Sequence, residues 1–330
     1  LAEIFSNRRQ YPESATSWAQ SIERHGPGHN NWKKERVHQI QASWGQFEPI
    51  MSQPAGTGAT VDYKFRNGRK VHFTAHRVEV RALLNDVKSY LRKNPGERMD
   101  WNRIQIGNLG YRLVHEKNTK YVGAKVASWT LKLNPAPSHF DQRVTVTTPL
   151  QEGGAYLVTA RMDGGNTSKV VLWINDTIIV KKPLATNIPG QPSEGPAYYF
   201  VADARTGLPI EKANIEFFGY WKQLIKAKKG RHKYRVQTST FAEYTDSQGQ
   251  VIPDRADIIP GKTQNAHWIV TATTPEGRFS HLGFSSVWVQ DYYDHEYNQT
   301  KAFGITDRPV YRPRQSVHFK FWVRNVKYDK

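Results

Sequence analysis

Residues 305–323 read ITDRPVYRPRQSVHFKFWV, and this stretch decides how the rest of the chain is interpreted. Pro309 and Pro313 lie in its first half. Because proline fixes φ and cannot donate a backbone hydrogen bond, this half is predicted to be an extended edge segment and not a helix or a central strand. After Gln315, apolar and polar residues alternate strictly, which is typical of a half-buried strand. An extended entry followed by a strand predicts the start of a β-sandwich domain.

The same stretch carries a family signature, TDRPxYRPGQxVxFK, with Arg314 at the position of the signature's glycine. The positions that match it include Asp307, Arg308, Pro309, Tyr311, Arg312, Pro313, Gln315, Phe319 and Lys320. The stretch therefore resembles the opening of a macroglobulin-type domain of the bacterial-type α2-macroglobulin family. The resemblance implies that these positions are structural and that none is catalytic.

A second motif precedes the first by about one domain length. Residues 198–219 read YYFVADARTGLPIEKANIEFFG, which is similar to the DxxTGxPxxxAxV pattern of macroglobulin-type domains. The matching positions are Asp203, Thr206, Gly207, Pro209, Ala213 and Ile215. Two related motifs at domain spacing imply tandem macroglobulin-type sandwiches.

The first 49 residues show helical spacing of apolar side chains, interrupted at Pro12 and again at Pro27. Helix, tight break and helix resemble the end of a tetratricopeptide-like repeat, a unit that cannot bury its apolar face alone. Residues 1–49 are therefore predicted to be a tetratricopeptide-like helical segment. We also expect the chain to be an excerpt of a longer protein, because it begins without Met and ends one strand into a domain.

From residue 60 the apolar period changes from helical to alternating. Asn67-Gly68, flanked by two alternating runs, predicts a β-hairpin. Residues 50–188 are predicted to form one β-sandwich with a helical insertion near residues 80–93. Strands are expected at residues 111–115, 121–133, 143–147, 155–161 and 169–181.

The rest of the chain is predicted to continue as sandwich domains. Residues 189–197 are rich in proline and glycine, which is typical of a linker. Residues 198–302 are predicted to be a macroglobulin-like β-sandwich, and residues 303–330 the truncated start of another. The fold class is thus mostly β, with tandem Ig-like, macroglobulin-type sandwiches after a short helical segment.

Composition limits the chemistry that these domains can perform. A chain of 330 residues without cysteine has no disulfide, no thiolate nucleophile and no thioester in this segment. His72 and His76 share a face of a predicted strand, too far apart for one zinc ion. The acidic run at residues 291–296 is interpreted as a polar loop, with a hard-cation site as the alternative. We therefore predict no metal, no cofactor and no catalytic residue.

The net charge of +18 favours polyanionic partners. One basic run contains no acidic residue and lies between two predicted strands, in a long hairpin or loop. Its cationic residues are Lys222, Lys226, Lys228, Lys229, Arg231, Lys233 and Arg235. This run predicts weak, salt-sensitive binding to polyanions, and the alternative is a solvated mobile loop. Specific nucleic-acid recognition and a transmembrane segment are not predicted.

The family resemblance implies a large exported protein, periplasmic, secreted or at the cell surface. Such a protein entraps proteases after they cleave a bait segment, and these residues would serve as its scaffold. Its protease partners would bind through regions downstream of this chain. The alternative function is an envelope adhesin or polyanion-binding array of Ig-like domains.

Overall fold

The structure is a computed structural model. It describes residues 1–93, 95, 99–116, 119–183, 197–225, 233–254, 266–286, 298–306, 310–312 and 315–327. Beyond the N-terminal helices the described chain is mostly strand, so the prediction of a mostly β fold is confirmed.

Three helices begin the chain: α1 (Ala2–Asn7), α2 (Tyr11–His25) and α3 (Trp32–Gln41). Helix α2 has a proline in its first turn and ends at Gly26, whose φ of 71° is readily available only to glycine. Trp18 and Trp32 pack edge to face with ring centroids 5.1 Å apart. The tetratricopeptide-like assignment stays a prediction. Its end at residue 49 is wrong, because Trp44–Phe47 form a strand that pairs in the first sandwich.

The first sandwich consists of a three-stranded and a five-stranded sheet. The smaller sheet has the order β1-β3-β6, with β1 (Trp44–Phe47), β3 (Thr60–Arg66) and β6 (Gln142–Thr147). The larger has the order β2-β8-β7-β4-β5, with β2 (Gln53–Pro54), β4 (Lys70–Val78), β5 (Val122–Lys132), β7 (Gly154–Met162) and β8 (Thr167–Asn175). Side chains such as Tyr63, Phe73 and Val158 are fully buried between the two sheets.

The Asn67-Gly68 turn joins these two sheets and does not close a hairpin. Strand β3 pairs with β1 and β6, whereas β4 pairs with β5 and β7. Asn67 has a left-handed φ of 58°, and its side-chain amide donates to the carbonyl oxygens of Ile40 and Ala42. The hairpin prediction was wrong because the turn is a local signal, whereas the pairing of its strands is decided by burial across the whole domain.

Helices follow β4: α4 (Val80–Arg92), α5 (Trp101–Ile104) and α6 (Leu109–Val114). Helix α4 has the predicted amphipathic spacing and buries Leu83, Leu84 and Leu91. Residues 111–115 were predicted to be a strand, but most of them lie in α6. Leu109 and Leu113 are four positions apart and both buried, so the helical period fits this short run better than alternation does.

The second sandwich consists of the sheets β13-β10-β9 and β12-β11-β14-β15. Their strands are β9 (Thr177–Pro183), β10 (Ala197–Asp203), β11 (Asn214–Ile225), β12 (Lys233–Tyr244), β13 (Gln250–Val251), β14 (His267–Thr273) and β15 (Phe279–Ser286). Tyr199, Phe217 and Trp268 are buried in its core.

Strand β9 belongs to this second sandwich by its pairing. It was predicted to lie in the first, which was expected to extend to residue 188. It pairs with β10 from Thr177 opposite Asp203 to Pro183 opposite Ala197, and Ile179 is buried in the second core. Residues 189–196 of the predicted linker lie outside the described residues, and its last residue, Ala197, begins β10.

The last two strands, β16 (Asn298–Thr306) and β17 (Phe319–Lys327), pair with each other in a separate antiparallel sheet. The predicted boundary between residues 302 and 303 falls inside β16, since all of that strand pairs with β17. Across the ranges given above, no helix is long and apolar enough to cross a membrane.

Candidate functional site

The DxxTGxP motif, Asp203 to Pro209, forms a hydrogen-bonded turn at the end of β10. The Asp203 carboxylate accepts hydrogen bonds from the backbone N–H groups of Arg205 and Thr206 at 3.0 and 2.9 Å, and from the Thr206 hydroxyl at 3.0 Å. Gly207 has φ 72°, a left-handed conformation that favours glycine. Beyond the turn, Ala213 and Ile215 are fully buried. Each of these motif positions therefore has a local structural role.

Asp203 also forms an ion pair that reaches across the second sandwich. Arg278 Nη1 lies 2.6 Å from Asp203 Oδ2 and 3.2 Å from the carbonyl oxygen of Asp176. The backbone N–H of Thr206 and the Arg278 guanidinium lower the pKa of Asp203 from 3.8 to about 2. One carboxylate therefore fixes the turn and also ties it to the end of β8 through Arg278.

Helices α4 to α6 lie between the outer faces of the two sandwiches. On one side they cover Ala155, Leu157 and Val171 of the first sandwich. On the other side they contact Phe218, Tyr220, Val236 and Ile269, which point outward from the second. The sequence predicted α4 as an insertion in the first sandwich, but these contacts make it part of a shared core.

Lys88 is a charged group in this shared core. Only 7% of the residue is exposed, its Nζ lies 2.7 Å from Glu216 Oε1, and it stands 5.9 Å from the Phe218 ring centroid. Arg92 lies over the same ring at 5.1 Å. Sequence reasoning missed this pair, although a lysine directly beside Val87 on the apolar stripe of α4 was a visible signal.

A cavity of about 510 Å³ opens where the helices meet the two sandwiches. Two of the cations that line it have partners. Arg77 donates to the carbonyl oxygen of Gly153, and Arg81 donates to that of Gly277 and lies 4.4 Å from the Phe279 ring centroid.

The described residues contain no cluster suited to a metal ion. Within them no group of three or more His, Asp or Glu side chains could hold a metal ion. His72 contacts Asp163, with Nε2 2.9 Å from Oδ1, while Nδ1 lies 3.0 Å from the Thr130 hydroxyl. The acidic run at residues 291–296 lies outside the described residues.

The second family motif is described in part. Asp307, Arg308, Pro309 and Pro313 lie outside the described residues. Around this gap the backbone N–H of Gln315 donates to the Arg312 carbonyl oxygen at 3.1 Å, and the Arg312 N–H donates to Gln315 Oε1 at 2.9 Å. Tyr311 precedes this turn, and β17 begins at Phe319 with Lys320 opposite Ile305. The sequence predicts an extended segment and then a strand from residue 316; the strand is present but begins at Phe319, after a turn.

The basic run is also described only at its ends. Lys226, Lys228, Lys229 and Arg231 lie outside the described residues, while Lys222, Lys233 and Arg235 lie on the paired strands β11 and β12. Arg235 points to one face of the hairpin, and Lys222, opposite Val236, points to the other. Lys222 Nζ is 5.0 Å from the Trp101 ring centroid. Lys222 and Arg235 therefore do not form one patch.

Comparisons with known proteins concern the fold. No protein-family model and no curated protein matches the chain. Among solved structures, the chain is similar to native alpha-2-macroglobulin from Escherichia coli spanning domains NIE-MG1, with 17% identity and a TM-score of 0.39, over 74% of this chain and 97% of that one. A structure spanning domains MG0-NIE-MG1 gives 14% identity and a TM-score of 0.37, over 73% of this chain and 64% of that one.

Red sea bream transglutaminase is also similar, with 12% identity and a TM-score of 0.33, over 78% of this chain and 34% of that one. Likeness at these identities and TM-scores concerns the arrangement of strands and does not distinguish between the functions of these proteins.

Proposed function

We propose that this chain is a scaffold portion of an exported α2-macroglobulin-like protein, and that the complete protein traps proteases. The observation that carries the proposal is the turn at Asp203. Its motif residues supply a carboxylate acceptor, a hydroxyl donor and a left-handed glycine, so the match to the family pattern has a structural cause. The second motif leads into β17, the strand that the family signature requires.

The role assigned to this chain is mechanical and not catalytic. Its two sandwiches share a buried helical layer that contains the Lys88–Glu216 ion pair, as expected of domains that hold a larger assembly in place. Proteases would be caught by other regions of the complete protein. Any covalent capture through a thioester would also occur there, because this chain has no cysteine.

The test compares the complete protein with the 330-residue chain. Entrapment encloses a protease without blocking its active site. The complete protein should therefore protect a large protein substrate from trypsin while a small peptide substrate is still cleaved. The isolated chain should change neither reaction. Stoichiometric loss of small-substrate cleavage with the isolated chain would contradict the proposal and indicate a compact active-site inhibitor.

The second candidate is an envelope adhesin or polyanion-binding array, which the net charge of +18 favours. The same comparison separates the two functions. A complete protein that leaves trypsin unaffected toward both substrates, yet attaches to isolated cell envelopes, would support the adhesin and not the trap.

A further inference from the structure

The outer face of the five-stranded sheet is divided into a covered and an uncovered half. At one end, Ala155, Leu157 and Val171 are buried beneath the helical layer. At the other end the outward residues of β5, β4, β7 and β8 are polar, and Lys70, Ser128, Thr130, Lys132, Arg161 and Thr167 are exposed. The uncovered half is thus a flat polar surface made of four adjacent strands.

Four cations cross this surface, one on each strand, and we call them the basic diagonal. Lys132 of β5 lies directly opposite Lys70 of β4. Arg161 of β7 lies opposite His72, which is two residues along β4 from Lys70. Lys169 of β8 lies opposite Thr159, and Thr159 pairs with Thr74, two residues further along β4. From strand spacing and rise per residue, the line is about 20 Å long.

The fold does not need this charge pattern. Like charges directly opposite each other on antiparallel strands are destabilising, so the pair Lys70 and Lys132 costs stability. Asp163 offsets part of this, with Oδ2 3.9 Å from Lys70 Nζ. In the part of the chain that the structure describes, no carboxylate lies within ion-pair distance of Lys132, Arg161 or Lys169. A sheet face that served only solubility could carry acidic and basic residues together, so solubility does not explain a row of cations.

The groups around the basic diagonal indicate the kind of partner. Hydroxyl side chains lie between the cations, and each can exchange hydrogen bonds with a sugar. They are Thr74, Ser128, Thr130, Thr159 and Thr167. Among the described residues that point outward on this half, none is Trp, Tyr or Phe, the side chains on which nucleic-acid bases stack. A row of cations with hydroxyls and no stacking platform fits a linear, regularly charged, hydroxyl-rich polymer.

We propose that the uncovered half of this sheet binds a linear anionic polysaccharide, whose anionic groups lie along Lys132, Lys70, Arg161 and Lys169. This surface shares no residue with the basic run at residues 222–235. It requires neither protease trapping nor the family assignment, so each proposal can fail without the other.

The test measures the affinity of the 330-residue chain for a short heparin oligosaccharide across a range of salt concentrations. Changing all four cations of the basic diagonal to Thr, a good strand former, should weaken binding about tenfold or more. The slope of log affinity against log salt should fall by about one for each cation that contacts the polymer. The matched control removes the same charge from exposed residues of the helical segment, as Arg8, Arg24, Lys34 and Arg36 to Gln.

Several outcomes would overturn the proposal. Equal weakening by the control variant would mean that binding follows net charge alone. Loss of binding only when Lys222, Lys226, Lys228 and Lys229 are changed to Gln would assign it to the basic run. Tighter binding to single-stranded DNA or to anionic phospholipid vesicles than to heparin would assign the surface to a different partner.

A single substitution, Lys132→Glu, separates a loss of binding from a loss of folding. Lys132→Glu replaces a like-charge pair opposite Lys70 with an opposite-charge pair, so the thermal midpoint should rise or stay constant. Heparin affinity should nevertheless fall more than with Lys132→Thr, because the substituted side chain repels the polymer. A higher midpoint with unchanged affinity would contradict the proposal.

Discussion

At the scale of single residues, Asp203 combines two roles that can be separated by substitution. Asparagine retains a side-chain oxygen that can accept the backbone N–H groups of Arg205 and Thr206, but it has no charge for Arg278. Alanine loses both interactions. We therefore expect Asp203→Asn to lower the free energy of unfolding at neutral pH by about 1–2 kcal/mol, after allowance for solvent screening of this partly exposed pair, and Asp203→Ala to lower it further.

The pH dependence of this loss follows from the pKa of Asp203, which folding lowers from 3.8 to about 2. A lowered pKa contributes stability that is fully present above the unfolded value and is lost as pH falls through the folded value. Denaturant titrations should thus show a constant difference between wild type and Asp203→Asn above about pH 5. That difference should decrease below about pH 4 and be lost by about pH 1. Asp246→Asn is the control, because Asp246 also accepts backbone N–H groups. A difference that was undiminished at pH 2 would mean that the ion pair is not its source.

At the scale of elements, helix α4 stabilises the contact between the two sandwiches through an ion pair whose two members are buried to different extents. Lys88 is buried, whereas the Glu216 side chain is 36% exposed. Removing the carboxylate leaves a buried cation, while removing the cation leaves a carboxylate that water can reach. We expect Glu216→Gln to cost about 2–4 kcal/mol in chemical denaturation, and Lys88→Met to cost much less. Equal costs for both variants would show that Lys88 is solvated when unpaired.

The elements also show what could be predicted from the sequence. The apolar stripe of α4 and the motif turn at Asp203 are local patterns, and both were found. Asn67-Gly68 was recognised as a turn, but its neighbours pair in different sheets because strand pairing depends on distant residues. Residues 111–115 are too few to distinguish the helical period of apolar residues from the alternating period of a strand. The burial of both Leu109 and Leu113, four positions apart, indicates the helix. The basic diagonal requires the register of four strands, so no sequence pattern shows it.

At the scale of the whole molecule, the shared helical layer predicts that the two sandwiches unfold together. Phe218 is fully buried and points from β11 into that layer, whereas its neighbour Phe217 points into the second sandwich's own core. Truncating Phe218 therefore weakens the junction and leaves the packing of both sandwich cores in place. A buried Phe→Ala change typically costs about 3–5 kcal/mol, which is a large fraction of the stability of a domain.

We expect the wild-type protein to unfold in a single calorimetric transition across both sandwiches, and Phe218→Ala to separate it into two. The reason is that two domains unfold as one only while the free energy of their interface is comparable to the stability of the weaker domain. Phe303→Ala is the matched control, since Phe303 is 66% exposed on β16 and its loss should leave the transition unchanged. Hydrogen exchange locates the effect: amides of β11 and β12 should lose protection in Phe218→Ala before those of β4 and β7. Two transitions already present in the wild type would mean that α4 contacts the second sandwich without coupling the two.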